Sequence, residues 1–172
     1  AWQIPAYDET SGRGLLRHLF FRAGFGPGQT QVTLVANGPP PEAVHDLVAR
    51  LRQAVPDLGS LVWNRNETRG NTILAGQFQT LWGTDTISTQ LCGLRFHLAP
   101  QAFCQINIPQ AERLYRRAVE YAGPAETALD LYCGAGTITL CLAKHIPWVY
   151  GAEIVPEAVE NARENARNNG VG

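Results

Sequence analysis

The string Asp130-Leu131-Tyr132-Cys133-Gly134-Ala135-Gly136-Thr137 constrains this chain more than any other part of it. An apolar run over residues 128–132 reads as a strand, and the glycine loop follows without a break. A helix is predicted over 137–145, a second strand over 148–152 closing on Glu153, and a last helix over 156–169 that stops at Gly170. Strand, helix, strand, helix with short links implies a parallel α/β sheet. A strand that delivers the chain to a tight glycine turn suits a nucleotide-type cofactor. Gly134 and Gly136 let the backbone approach a ligand with no Cβ in the way. The next helix aims its N-terminus at the site. Glu153, at the end of the second strand, can accept both ribose hydroxyl protons.

Two cofactor classes share this layout. Dinucleotide sites want a third small residue so that the helix packs close, and here that position is Thr139. Asp130 adds a carboxylate inside the strand, which suits a ligand with a positively charged amino-acid head better than a pyrophosphate. An aspartate, two glycines and an acid one strand later form the usual methyltransferase pattern. S-adenosylmethionine is therefore the expected cofactor, and NAD is the alternative.

The first part of the chain reads differently. Strands are expected over 15–23 and 30–36, then a helix whose Val44, Leu47, Val48 and Leu51 share one face. Further strands are expected over 60–64, 72–78, 86–91 and 94–98, which makes a small α+β domain. Arg13, Arg17, Arg22, Arg65 and Arg69 could meet phosphates, although a solvated surface is the commoner fate of any one arginine. Around Pro100 the pattern changes. A helix over 109–122 carries an apolar stripe of Ala111, Leu114, Tyr115, Ala118, Val119 and Ala122. Asn107 is placed to cap it.

Composition excludes several classes. No apolar run approaches the roughly 20 residues of a membrane span, and no secretory signal opens the chain. A cytoplasmic address is the default. A net charge of -1, from 14 basic and 15 acidic residues, argues against a strongly basic RNA-binding module standing alone. Cys92, Cys104, Cys133 and Cys141 show no zinc-ligand spacing, so no metal is expected. Three of them read as reduced, mostly buried thiols, and Cys133 as packing or loop lining.

Together, Phe103-Cys104-Gln105-Ile106-Asn107 and the 130–137 string resemble the RNA uracil-C5 methyltransferase family. Gly14-Leu15-Leu16-Arg17-His18 and Asn165-Ala166-Arg167-Asn168-Asn169-Gly170 extend the resemblance over almost the whole chain. It implies an α/β fold: a partial class I (Rossmann-like) methyltransferase domain over 100–172, preceded by the family's central α+β domain over 1–99. Gln105 is implied at the cofactor and target-base site, Tyr132 beside the cofactor, Thr137 in contact with it and Glu153 on the ribose. The cofactor-binding set is then Gln105, Asp130, Tyr132, Gly134, Gly136, Thr137 and Glu153.

In that family a cysteine thiolate adds to carbon 6 of uracil and a base later removes the proton from carbon 5. Both groups follow a later aspartate-proline motif, so no catalytic residue is expected in this chain, and the chain by itself is expected to be inactive. RNA is the implied partner, ribosomal ahead of transfer RNA. A methyltransferase with another substrate class and a non-catalytic cofactor-binding module are the rival readings.

The chain begins at Ala1 and contains no methionine, and is expected to be a fragment. A sheet cut short exposes an unpaired edge and apolar faces, so weak stability or self-association is expected of the isolated chain. Sedimentation and calorimetry check this: a monomer that unfolds in one sharp transition would contradict it.

Overall fold

The computed structural model describes residues 4–171; residues 1–3 and Gly172 of the two expected segments lie outside them. The chain forms two compact units. The first takes the described residues through Gly24 together with Gly28–Ile87; the second takes Phe25–Pro27 and the described residues from Ser88 on.

In the first unit β1 (Leu16–Ala23), β2 (Thr30–Ala36), β3 (Leu58–Arg65) and β4 (Gln77–Gly83) form one sheet in the order β1-β2-β3-β4. The central pair is parallel and both outer pairs are antiparallel. A parallel pair needs a crossover, and α1 (Val44–Ala54) supplies it. The predicted helix face docks as expected. Val44 is buried in a core with Val32, Leu34, Ala36, Leu61 and Trp63, and Leu47, Val48 and Leu51 pack against it. The Trp63 indole N–H donates to Gly38 O at 2.9 Å, so the largest core side chain leaves no buried donor unpaired.

The strand expected over 72–78 is not there; β4 begins at Gln77. Side-chain amides compete with the ladder for the backbone of this stretch. Asn66, 1% exposed, donates from Nδ2 to Thr72 O at 2.8 Å and Ile73 O at 2.9 Å. Asn64 Nδ2 takes Ala75 O at 2.6 Å. A segment whose carbonyls are captured this way folds as a pinned loop.

The second unit opens with β5 (Ile87–Leu91) and β6 (Leu94–Leu98), a hairpin turning on Cys92 and Gly93. The composition break at Pro100 falls after this hairpin, whereas the structural division falls before it. The reason lies in α4 (Pro156–Asn168), whose asparagines bond the backbone of β6, as described below. α2 (Ile108–Ala122) starts as expected, with Asn107 as its cap: Oδ1 accepts from Gln110 N at 3.2 Å. Its apolar stripe is only partly used. Ala111 and Tyr115 are buried, while Leu114 is 59% exposed.

β7 (Thr127–Leu131), α3 (Thr137–Ala143) and β8 (Trp148–Ala152) then form a parallel β-α-β unit in which Asp130 pairs with Gly151 and Leu131 with Ala152. Alternation along these strands leaves Leu129, Leu131, Trp148 and Tyr150 together on one exposed face. No helix among the described residues is long and apolar enough to cross a membrane.

The loop amides give a direct test. Asn66→Ala is expected to lower stability by about 1–3 kcal/mol, because a buried carboxamide and its two bonds to the loop carbonyls are lost. Arg69→Ala, on the exposed part of the same loop, should change it by less than about 0.5 kcal/mol. Urea unfolding of both variants measures the difference.

Candidate cofactor site

β7 ends at Leu131 and the chain turns sharply. Tyr132 takes a φ of +64°, rare for a residue with a side chain, and the residue is 86% exposed. Among the described residues Tyr132 packs into no core. Cys133 N donates to Ala152 O at 3.0 Å, which ties the loop to the end of β8.

The two glycines serve different ends. A Cβ on Gly134 would meet nothing within 4 Å, so its surroundings are open. A Cβ on Gly136 would lie 3.2 Å from the Ala162 methyl of α4. Glycine at 136 is favoured by helix packing and by a φ of +81°, whereas the space beside Gly134 is open.

Glu153 closes the turn. Its Oε2 accepts from Gly134 N at 3.0 Å, and its Oε1 accepts from Ile154 N at 2.8 Å and Val155 N at 3.0 Å. These donors, Val155 first and Gly134 next, hold its carboxyl below the ordinary glutamate value of 4.5, although burial works the other way. The group is a fixed carboxylate with acceptor capacity left on each oxygen.

Gly134 and Glu153 line a cleft of about 210 Å³. One wall is Ala99, Ala102 and Phe103, which follow β6; the floor includes Ala158 and Asn161 of α4. Phe103 is 75% exposed and offers an aromatic face.

The other expected residues sit elsewhere. Asp130 Oδ2 accepts from Thr139 Oγ1 at 2.6 Å, so the residue that breaks the dinucleotide pattern anchors the strand carboxylate. Thr137 Oγ1 lies 3.2 Å from the hydroxyl of buried Tyr115, whose phenol burial pushes up. Gln105 is half-buried on the segment before α2 and, like Asp130, Tyr132, Gly136 and Thr137, does not line this cleft.

Cys133 is unsuited to act as a nucleophile: burial first, then the nearby Asp130 carboxylate, push its thiol up and disfavour the thiolate. All four cysteines are free thiols: Cys141 is fully buried, and Cys92, Cys104 and Cys133 are half-buried. No group of three His, Cys, Asp or Glu among the described residues is placed to hold a metal ion.

The arginines fare variously. Arg17 is 2% exposed in its side chain and gives its guanidinium to Asn66 O, Thr68 O and Glu9, with the Tyr7 ring 4.8 Å away. It is spent inside the fold and cannot meet a phosphate. Arg65 forks onto Glu67. Arg22 lies over Phe20, and Arg13 and Arg69 are exposed.

Sequence reasoning overlooked Asn161 and Asn165. Asn165 Oδ1 accepts from His97 N at 2.8 Å while its Nδ2 donates to Ala135 O at 3.1 Å. Asn161 Nδ2 donates to His97 O at 2.7 Å. The available signal was asparagine at 161, 165 and 169, spaced by four on a helix that disfavours the residue.

A parallel β-α-β unit with a glycine turn and an acid closing its second strand gives the second unit the α/β fold of methyltransferases. Residues 123–172 match a family model described as a methyltransferase domain. Over 99% of its length the chain is 38% identical to an uncharacterized RNA methyltransferase of Clostridium acetobutylicum, of which it covers 37%. Over 96% of its length it is 40% identical to an uncharacterized RNA methyltransferase of Staphylococcus aureus, again covering 37%. It superposes on the tRNA (uracil-54, C5)-methyltransferase of Pyrococcus abyssi in complex with S-adenosyl-L-homocysteine with a TM-score of 0.79 and 26% identity, covering 99% of this chain and 41% of that one. The chain thus spans less than half the length of the relatives it matches.

Two outcomes are expected from this geometry. Gly136→Ala should cost about 1–3 kcal/mol through strain and the contact with Ala162, and Gly134→Ala about 1 kcal/mol through its φ alone; urea unfolding ranks them. The Glu153 carboxyl is lowered on folding, so its contribution to stability is complete above 4.5 and is lost as the pH falls through its lower folded value. The stability difference between wild type and Glu153→Gln, followed from about pH 7 to about pH 3, should shrink at the acid end.

Proposed function

We propose that this chain carries the cofactor-binding part of an S-adenosylmethionine-dependent enzyme that methylates carbon 5 of uracil in RNA. The observation that carries the reading is the Glu153 carboxylate, fixed by three backbone N–H groups against Gly134 at the mouth of an apolar cleft. It is supported by likeness over nearly the whole chain to proteins named RNA methyltransferases, and to a uracil methyltransferase that holds S-adenosyl-L-homocysteine.

The residues fit this cofactor. Gly134 stands before open space, and Glu153 keeps lone pairs for two hydroxyl donors. Phe103, Ala102 and Val155 offer an apolar wall for an adenine ring. When bound, the cofactor supplies an electrophilic methyl group on a sulfonium. The chain's own residues bind and orient. Glu153 takes the ribose hydroxyls, and the Asp130 carboxylate, fixed by Thr139, complements the ammonium of the amino-acid head. In this reading Tyr132 stands beside the cofactor, Thr137 contacts it past the glycines, Gly136 seats the loop on α4, and Gln105 belongs to the cofactor and target-base site. No residue of this chain is proposed as the nucleophile.

In this reading residues 100–172 together with the β5–β6 hairpin open the methyltransferase domain, and the first unit is the family's central domain. RNA is the partner and the cytoplasm its address. Ribosomal RNA is the preferred substrate on the look of the central domain. Transfer RNA is the second reading, favoured by the activity named for the Pyrococcus relative.

Calorimetric titration of the chain with S-adenosylhomocysteine, with NAD in parallel, tests the cofactor. Saturable binding that Glu153→Ala weakens by about ten-fold or more is expected. Binding of NAD in its place would sink the methyltransferase reading. Transfer of labelled methyl groups by the full-length enzyme to ribosomal and transfer RNA decides the substrate, and label at any atom other than uracil carbon 5 overturns the proposed chemistry.

A further inference from the structure

Asn165 is 0% exposed in the body of α4, and both ends of its carboxamide are engaged. Its oxygen takes the N–H of His97 on β6, and its nitrogen reaches the carbonyl of Ala135, the residue between the two loop glycines. Asn161 holds the other backbone group of His97 from one turn earlier. Asn169 repeats the pattern on Arg95, accepting from its N at 2.9 Å and donating to its O at 2.6 Å, but reaches nothing in the loop. The two walls of the cleft are the segment that follows β6 and the 134–135 backbone. One side chain with two fixed bonds therefore joins β6, the strand that leads into the Ala99–Phe103 wall, to the loop backbone at Ala135. An apolar residue of similar size could fill the same volume, but it would leave the Ala135 carbonyl and the His97 N–H without partners.

We propose that Asn165 is a positioning residue for the cofactor cleft, acting through Ala135 and His97 to hold the glycine loop at binding distance from the segment carrying Phe103. The ligand arm of this inference rests on the S-adenosylmethionine reading above; the loop arm does not.

The test is Asn165→Asp in the full chain, with Asn169→Ala as the control. The aspartate keeps the acceptor for His97 N–H and replaces the donor to Ala135 with a second acceptor. Three quantities are read: thermal stability, affinity for S-adenosylhomocysteine, and amide hydrogen exchange over residues 133–137 without ligand. The expected result is an affinity loss of about ten-fold and faster exchange in the loop for Asn165→Asp. Asn169→Ala should lower stability while leaving both readouts near wild type.

Wild-type affinity with a protected loop in Asn165→Asp overturns the proposal. So does an equal loss of affinity in both variants, which would make Asn165 a structural residue only. If Asn165→Asp does not fold, Asn165→Ser, which can satisfy one partner and not both, is judged by the same readouts. If the wild type itself fails to bind S-adenosylhomocysteine, the cofactor reading falls, and the exchange comparison alone decides the role of Asn165.

Discussion

Two asparagine side chains on one face of α4 and a third at its C-cap hold much of the second unit in place. Asn161, Asn165 and Asn169 meet the backbone of β6 at His97 and Arg95, on the side of the strand that β5 does not use. They replace a missing neighbour strand with carboxamides. The reason is that a buried backbone group left unpaired costs about 1–3 kcal/mol. An asparagine in a helix costs well under about 1 kcal/mol relative to alanine. The bonds win, so a helix with three poor helix formers is stable at this place. Glu153, just before the same helix, holds Gly134, and the helix itself passes against Gly136 and bonds Ala135.

Two carboxylates near the loop are held by different partners and are thereby given different parts. Glu153 receives three backbone N–H groups, which keep it ionised and aim it at the cleft. Asp130 receives the Thr139 hydroxyl and sits beside Cys133, where it opposes formation of a thiolate. The electrostatics of the turn thus favour binding a polar ligand and disfavour covalent chemistry at Cys133. Close packing leaves little slack around this arrangement, since the loop and α4 already touch where Gly136 has no side chain.

The first unit uses polar groups in a comparable way. Its buried asparagines and Arg17 satisfy the carbonyls of the loop that precedes β4. Arginine in such a sequence is readily taken for a phosphate ligand. Its five donors equally suit a cluster of backbone carbonyls, and only the packing of Glu9, Tyr7 and the loop reveals which use is made.

The sequence by itself determined the order and type of nearly all elements. Apolar periodicity and the punctuation by glycine and proline are local properties. The strand–glycine–helix string was legible for the same reason, as were the cap at Asn107 and the acid closing β8. Missing from that reading were the loop in place of a strand over 72–76, the limited burial of the α2 stripe, and the separate duties of Gly134 and Gly136. These depend on what lies opposite in space: Asn66 against two carbonyls, solvent against Leu114, and Ala162 against Gly136. Only the tertiary structure decided that Asn165 joins β6 to the glycine loop across 68 and 30 residues of sequence, because a hydrogen bond depends on where atoms stand and not on how far apart they are along the chain.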